Sequence, residues 1–383
     1  MSSDADARIQ RWQQSRAACL GQLSWLHVDT RNGRPVRYVN GDVLVGAEHE
    51  ALAREAIMAQ GVVDADQITV EPMALGFVRL SAPGVDVAAT VAAVRAHGGD
   101  DAAGPNHVFV SAEGWDYGGP FGPPTPVEAY QLPIGPSATA TTRVTVVDTG
   151  IWRDSPLPAS WYAATAADVA RSDEQHLDTG HANFITGVIL GRTDNAHVRI
   201  VKVLDDNGVC REHELANALM AMADTDVINL SLGGFTDADK PPVMLAKALA
   251  TMLHRKDRVV VAAAGNDGLD RPYWPAAFAG SGHAFADQIV AVAAHDGTQL
   301  CTWSNTGDWV SLAAPGSDIV STYVRQDDFP SGFARWSGTS FAAPYAVGVI
   351  AQSHASGGSI RDAVTDVRKQ ATTTTYGGYP SLG

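Results

Sequence analysis

The sequence predicts an α/β protein, a mostly parallel, doubly wound sheet preceded by a small ferredoxin-like α+β domain. Three observations predict it. After residue 141, apolar runs at 143–147, 198–204, 226–231, 258–264 and 289–294 alternate with helical patterns near 181–191, 212–222, 242–254, 340–353 and 359–370. Those runs are continuously apolar, as strands buried on both faces of a parallel sheet require. Before them, residues 41–111 read strand, helix, strand, strand, helix, strand, the ferredoxin-like order.

Residues 1–40 form a mixed N-terminal extension, with a short helix over 5–23 and a turn at Arg31-Asn32-Gly33-Arg34-Pro35. Within 41–111, strands are expected at 42–45, 68–71, 77–80 and 107–110. Helices are expected at 48–60, closed by Gly61, and at 85–97, closed by Gly98-Gly99. Residues 112–140 concentrate Pro and Gly and read as an exposed linker. Residues 141–383 make up the larger domain.

Composition bounds the function. Of 383 residues, 45% are hydrophobic and 18% charged, the profile of a globular protein. A net charge of −15 and a pI near 5.1 argue against nucleic acid and anionic membrane as partners. Cys19, Cys210 and Cys301 are too few and too odd in number for a disulfide framework. Residues 1–14 are polar, with no apolar core of a secretory leader, and no stretch is long and apolar enough to span a bilayer. The expectation is a cytoplasmic chain.

Four polar residues carry the chemistry. Asp148 ends the strand Val144-Thr145-Val146-Val147, and Asn266 follows the strand ending in Ala263-Ala264-Gly265. His181 and Ser340 open helices, and Pro344 is expected in the first turn after Ser340. In an open parallel sheet, strands end and helices begin on the same rim, so the four converge there. Aspartate, histidine and serine in that chain order can form a nucleophilic triad. Ser340 would attack, His181 would take and return its proton, and Asp148 would hold the imidazole tautomer. Asn266 and the Ser340 backbone N–H would face a developing oxyanion. Taken singly, each has a plainer reading: Asp148 and Asn266 as turn residues, His181 as a core histidine, Ser340 as a helix cap. Their joint occurrence, each in its own motif, favours the triad.

Those motifs resemble the subtilisin-like serine peptidases, the subtilase family, over residues 141–353. The resembling segments are Val146-Val147-Asp148-Thr149-Gly150-Ile151, Asp226-Val227-Ile228-Asn229-Leu230-Ser231-Leu232-Gly233, Ala263-Ala264-Gly265-Asn266, and Gly338-Thr339-Ser340-Phe341-Ala342-Ala343-Pro344. The resemblance implies a serine endopeptidase working through an acyl-enzyme. It implies that Ser231, Leu232 and Gly233 bind an extended peptide as an added strand. It also implies that Ala264 and Gly265 wall the pocket before the cut bond, with Pro275 near its floor. Tyr273 would partly fill that floor and favour small side chains. One departure stands out. The family follows its histidine with Gly-Thr-His, whereas here the run is His181-Ala182-Asn183-Phe184. Residues 41–111 resemble a subtilase propeptide, which implies a zymogen whose last strand lies in the cleft and is released by cleavage within 112–140.

The implied partners are a peptide or protein substrate and the chain's own N-terminal domain. The chemistry requires no cofactor. The family implies structural calcium without locating it, and Asp205-Asp206-Asn207-Gly208 reads as a turn instead of a calcium loop. Two alternatives use the same residues. One is a catalytically silent peptide-binding or scaffold protein, motivated by Ala182, Phe184 and a permanent N-terminal lid. The other is an esterase, against which the Ser231-Leu232-Gly233 strand argues.

Overall fold

The computed structural model describes residues 10, 14, 18, 21–30, 35–111, 122–128, 130–131, 135–170, 178–222, 224–371 and 374–383. Its N-terminal part contains strands β1 (Leu26–Asp29), β2 (Val36–Gly46), β3 (Thr69–Pro72), β4 (Phe77–Ser81) and β5 (Ala103–Ser111). Helix α1 (Glu50–Met58) joins β2 to β3, and α2 (Val87–Gly98) joins β4 to β5. The strands pair antiparallel in the order β5-β2-β4-β3, with β1 added beside β2. Local chemistry explains the helix ends. Asp86 accepts from Ala89 N–H at 3.0 Å and starts α2, while Gly99 stops it with φ +87°. Buried Ala53, Ile57, Val91 and Val94 turn both helices onto one face of this sheet.

The larger part holds seven parallel strands: β7 (Thr142–Asp148), β8 (Tyr162–Ala163), β9 (Ala196–Lys202), β11 (Val227–Leu230), β13 (Val259–Ala263), β14 (Ile289–His295) and β15 (Leu312–Pro315). Between them come the short β10 (Val209–Arg211) and β12 (Leu232–Gly233). Their spatial order is β15-β14-β13-β11-β7-β9-β8. Every residue of β11, β13 and β14 is buried, as the continuous apolar runs require. Helices α3 (His181–Leu190), α6 (Thr339–His354) and α7 (Ile360–Ala371) cover one face, and α4 (Glu212–Met220) and α5 (Val243–Leu253) the other. A side sheet joins β16 (Ile319–Thr322), β17 (Phe333–Trp336) and β6 (Thr125–Pro126), so part of the Pro/Gly-rich segment is an edge strand.

The predicted α/β class holds, and the differences have physical reasons. β2 starts at Val36, before the predicted residue 42, because Val36, Tyr38 and Val39 are also buried. β8, β10 and β12 are too short to show a period, and β15 ends in a proline at the sheet edge. The sequence puts Pro344 in the first turn of its helix. It is instead the sixth residue of α6, because the helix starts at Thr339. The helix expected over 5–23 falls mostly outside the described residues, as does the turn at 31–35, of which only Pro35 is described.

The two parts share one continuous core. The outer face of the N-terminal sheet, through Leu44 and Phe77, packs on Ala216, Val243, Met244 and Ala248 of α4 and α5. Arg95 pairs with Asp237 at 2.8 Å, and Asp100 pairs with Lys240. Buried His107 lies 2.8 Å from Glu212 through Nδ1 and accepts from Asp237 N–H through Nε2. That acceptance makes His107 a neutral Nδ1–H tautomer donating to Glu212. The other Glu212 oxygen accepts Met244 and Leu245 N–H, capping α5. Helix termini and ion pairs thus tie the parts together under the apolar contact.

Candidate active site

Strand order locates the cleft. From β7 the chain runs to β8 at the sheet edge, comes back to β9 beside β7, then crosses to β11 on the other side of β7. Strand order therefore reverses between β7 and β11, and the crevice beyond their carboxyl ends is where such sheets bind ligands. Asp148 ends β7, and Ser231 follows β11.

Asp148 is fully buried, and donors converge on its carboxylate. Oδ1 accepts from Thr149 N–H at 2.8 Å and Thr149 Oγ–H at 3.1 Å. His181 Nδ1 stands 2.8 Å from Oδ1 and 3.0 Å from Oδ2. A buried carboxylate needs such donors to stay ionised, and in return fixes the imidazole with its proton on Nδ1. Gly180, at φ +86°, turns the chain into α3, and a Cβ there would lie 2.6 Å from the Tyr323 ring. Asn183 ties α3 to the loop beyond Asp148 with two 2.8 Å bonds to the Trp152 backbone.

Ser340 is the second residue of α6 and is fully buried. Its hydroxyl is turned toward the Ser231 carbonyl, at 3.5 Å. Asn266 Oδ1 accepts both the N–H and the Oγ–H of Thr339 at 2.9 Å, and Gly265 N–H donates to the same Thr339 oxygen at 3.0 Å. The oxygen of Asn266 is thereby committed, which leaves its NH2 as the donor beside the α6 N-terminus. Asn305 holds the same loop, donating to Ala264 O at 3.0 Å and accepting from Asp267 and Leu269 N–H.

The remaining predicted residues, Ser231 to Gly233, Ala264, Gly265, Tyr273 and Pro275, are all buried. Leu232 and Ala264 are fully buried. The Tyr273 ring is wedged between two glycines: a Cβ on Gly233 would lie 2.3 Å from it and one on Gly265 3.0 Å. Gly234 and Trp274 exchange backbone bonds of 2.8 and 2.9 Å, fixing the chain that leads into the Trp274–Pro275 cis peptide. Strand β5 lies in the slot between β10 and β12. Phe109 pairs with Cys210, Val110 with Val209 and Gly233, and Ser111 with Leu232, and Ser111 N–H donates to Gly208 O at 3.0 Å.

The two described cysteines offer no rival nucleophile. Burial pushes the Cys210 thiol well above its ordinary range and Cys301 up to about 12, so neither is a thiolate at neutral pH. Cys19 lies outside the described residues. Among the described residues, no three His, Cys, Asp or Glu side chains converge on one point. Asp205 Oδ1 instead accepts Asn207 and Val209 N–H, a turn. No described helix is long and apolar enough to cross a membrane.

Sequence reasoning missed Asn183, Asn229, Asn305 and Thr339, which position other groups. Only Asn305, in Ser304-Asn305-Thr306-Gly307, carried a local signal, that of a turn.

Comparison with known proteins bears on the family and the fold. The profile of the subtilase family matches residues 139–377. A thermophilic serine proteinase of Bacillus sp. (strain AK1) is 29% identical over 338 residues, covering 82% of this chain and 78% of that one. Thermitase of Thermoactinomyces vulgaris is 31% identical over 253 residues, covering 62% and 83%. Among solved structures, fervidolysin from Fervidobacterium pennivorans, a keratinolytic enzyme related to subtilisin, superposes with a TM-score of 0.61 at 19% identity. It covers 91% of this chain and 59% of its own, a likeness of fold alone.

Proposed function

The chain belongs to the subtilase family and is a serine-type endopeptidase, and we propose that Ser340, His181 and Asp148 are its catalytic triad. The observation that carries this reading is the buried His181–Asp148 pair packed against Phe341 in the first turn of α6. Ser340 Oγ attacks the substrate carbonyl as its proton passes to His181 Nε2. The Asn266 NH2 and the Ser340 N–H take the charge that develops on the carbonyl oxygen. The C–N bond then breaks, His181 returns the proton to the departing amine, and water repeats the cycle to free Ser340. The Ser340 hydroxyl points toward the Ser231 carbonyl, and catalytic hydrogen bonds commonly tighten only when substrate binds.

The N-terminal part is read as an inhibitory propeptide-like domain, residues 41–111. Supporting this, β5 fills the slot in the antiparallel register an extended peptide would take. Release requires a cut within 112–140, and the pairing of Ser111 with Leu232 points to the first residues of that segment. Labelling with a fluorophosphonate tests the triad, and intact mass tests the processing. Labelling and chain shortening should both vanish in Ser340→Ala. Labelling that persists in that variant ends the triad reading.

The same filled slot favours one second reading, a silent peptide-binding protein whose lid never leaves. A wild-type chain that stays at full mass and never takes the label would support it.

A further inference from the structure

We propose that Phe184, Trp336 and Phe341 form an aromatic clamp that positions the His181 imidazole, a proposal that rests on the triad reading. The bond to Asp148 fixes one ring nitrogen of His181 but does not by itself stop the ring from swinging about that contact. Two rings oppose the swing. Trp336 meets the imidazole edge to face, with centroids 5.7 Å apart and planes at 83°. Phe341 meets it at 5.7 Å and 58°.

Phe184 touches both of those rings from behind. It lies 4.4 Å from Phe341 and 5.8 Å from Trp336, and those two are 5.2 Å apart. Phe184 and Phe341 are fully buried, and Trp336 is 3% exposed. The three come from separate segments, α3, β17 and α6, so the triangle closes only when the site is assembled. Phe341 follows Ser340 directly. The ring that braces the base is therefore fixed to the backbone of the nucleophile, and the two reacting groups keep their spacing together. In the sequence, Phe184 stands out only as a departure from a family pattern that carries histidine there. Its surroundings explain the exchange. A polar imidazole between two aromatic rings would lack partners, whereas phenylalanine completes the packing.

Phe184 and Trp336 are positioning residues, so the test must separate positioning from stability. The full-length chain, incubated until intact mass shows its N-terminal part released, is labelled with a fluorophosphonate and assayed on a chromogenic peptide. A displacement of about 1 Å costs roughly a hundredfold in rate, so Phe184→Ala should label at least about tenfold more slowly, with kcat falling in step and KM within about twofold. Phe184→Leu, which keeps most of the volume, should stay within about threefold of wild type, and Phe184→Val should fall between them. Ile350→Ala, a fully buried α6 residue in the same core, should lower the melting temperature yet label at the wild-type rate. A flat Phe184 series in folded protein overturns the clamp, as does equal loss in Ile350→Ala. Should Phe184→Ala not fold, the Leu and Val variants alone decide. A wild-type chain without Ser340-dependent labelling overturns the clamp and the triad together.

Discussion

Ser231 Oγ donates to the Ser340 carbonyl at 2.8 Å, and this bond replaces one that Pro344 removes. In an α-helix the carbonyl of residue 340 accepts the N–H of residue 344, and proline has none. Asn229 Nδ2, in turn, donates to Ser231 Oγ at 2.9 Å. The end of β11 thereby satisfies the first turn of α6, and the helix that carries the nucleophile is pinned to the strand that would bind peptide. Ser231→Ala leaves a buried carbonyl unpaired, which costs about 1–3 kcal/mol. Thermal unfolding should show the loss, and labelling of Ser340 should slow with it. A melting temperature unchanged from wild type would show that the bond carries nothing.

Acid should loosen the join between the two parts. Asn106 Nδ2 donates to Asp42, so its oxygen accepts from His213 Nδ1 at 3.1 Å. Burial lowers the pKa of His213 below its ordinary 6.5; Glu214 and Asp42 oppose that shift, while Arg79 and Arg211 reinforce it. A histidine whose pKa is lowered in the folded state adds no penalty above pH 6.5. As pH falls below that value, the unfolded chain takes a proton that the folded chain refuses, and stability drops. Melting temperature should therefore fall from pH 7 to 5, and less steeply in His213→Gln. Parallel curves for the two proteins would rule His213 out as the group responsible.

The N-terminal extension reaches the cleft strand. Leu23, Trp25 and Leu26 pack over Val39, Val108, Val110 and Val209, and the Arg211 guanidinium lies 4.3 Å over the Trp25 ring. A cation–π pair at a partly exposed site is worth about 0.5–1 kcal/mol. A double-mutant cycle on Trp25→Ala and Arg211→Ala should return a coupling of about that size. Additive losses would mean that the extension covers the strand without being fastened to it.

How much of this was legible follows from distance along the chain. Asp148, His181, Asn266 and Ser340 could be placed because strand ends and helix starts are local signals, and parallel topology brings them to one rim. What the sequence could not show are bonds between distant residues that each look ordinary. Thr339 reads as a small residue before a helix until Asn266 meets it, and Pro344 reads as a first-turn proline until Ser231 supplies the missing donor. Trp25 lies in a stretch with no period, and its partner is 186 positions away in a strand of three residues. The Phe184 cluster was hidden for the same reason: three aromatic residues on three elements show no pattern in one dimension.

Tyr273 should decide which residue can precede the cut bond. Its ring stands between Gly233, in the segment proposed to pair with peptide, and Gly265, proposed as a pocket wall, and is 4% exposed. Its other neighbour is Phe235, edge to face at 5.3 Å, so the ring is packed from behind and cannot easily swing out. A pocket filled in this way admits alanine or serine and excludes phenylalanine and leucine. Each methylene matched or refused by such a pocket is worth about 10–200-fold in kcat/KM. A peptide set varied only at that position should show the preference for small residues. Tyr273→Ala should invert it by raising kcat/KM for phenylalanine at least about tenfold over alanine. The ratio between two substrates of one variant is the informative quantity, because stability losses from opening the pocket act on both alike. Wild-type preference for a large aromatic residue would place the Tyr273 ring outside the specificity pocket.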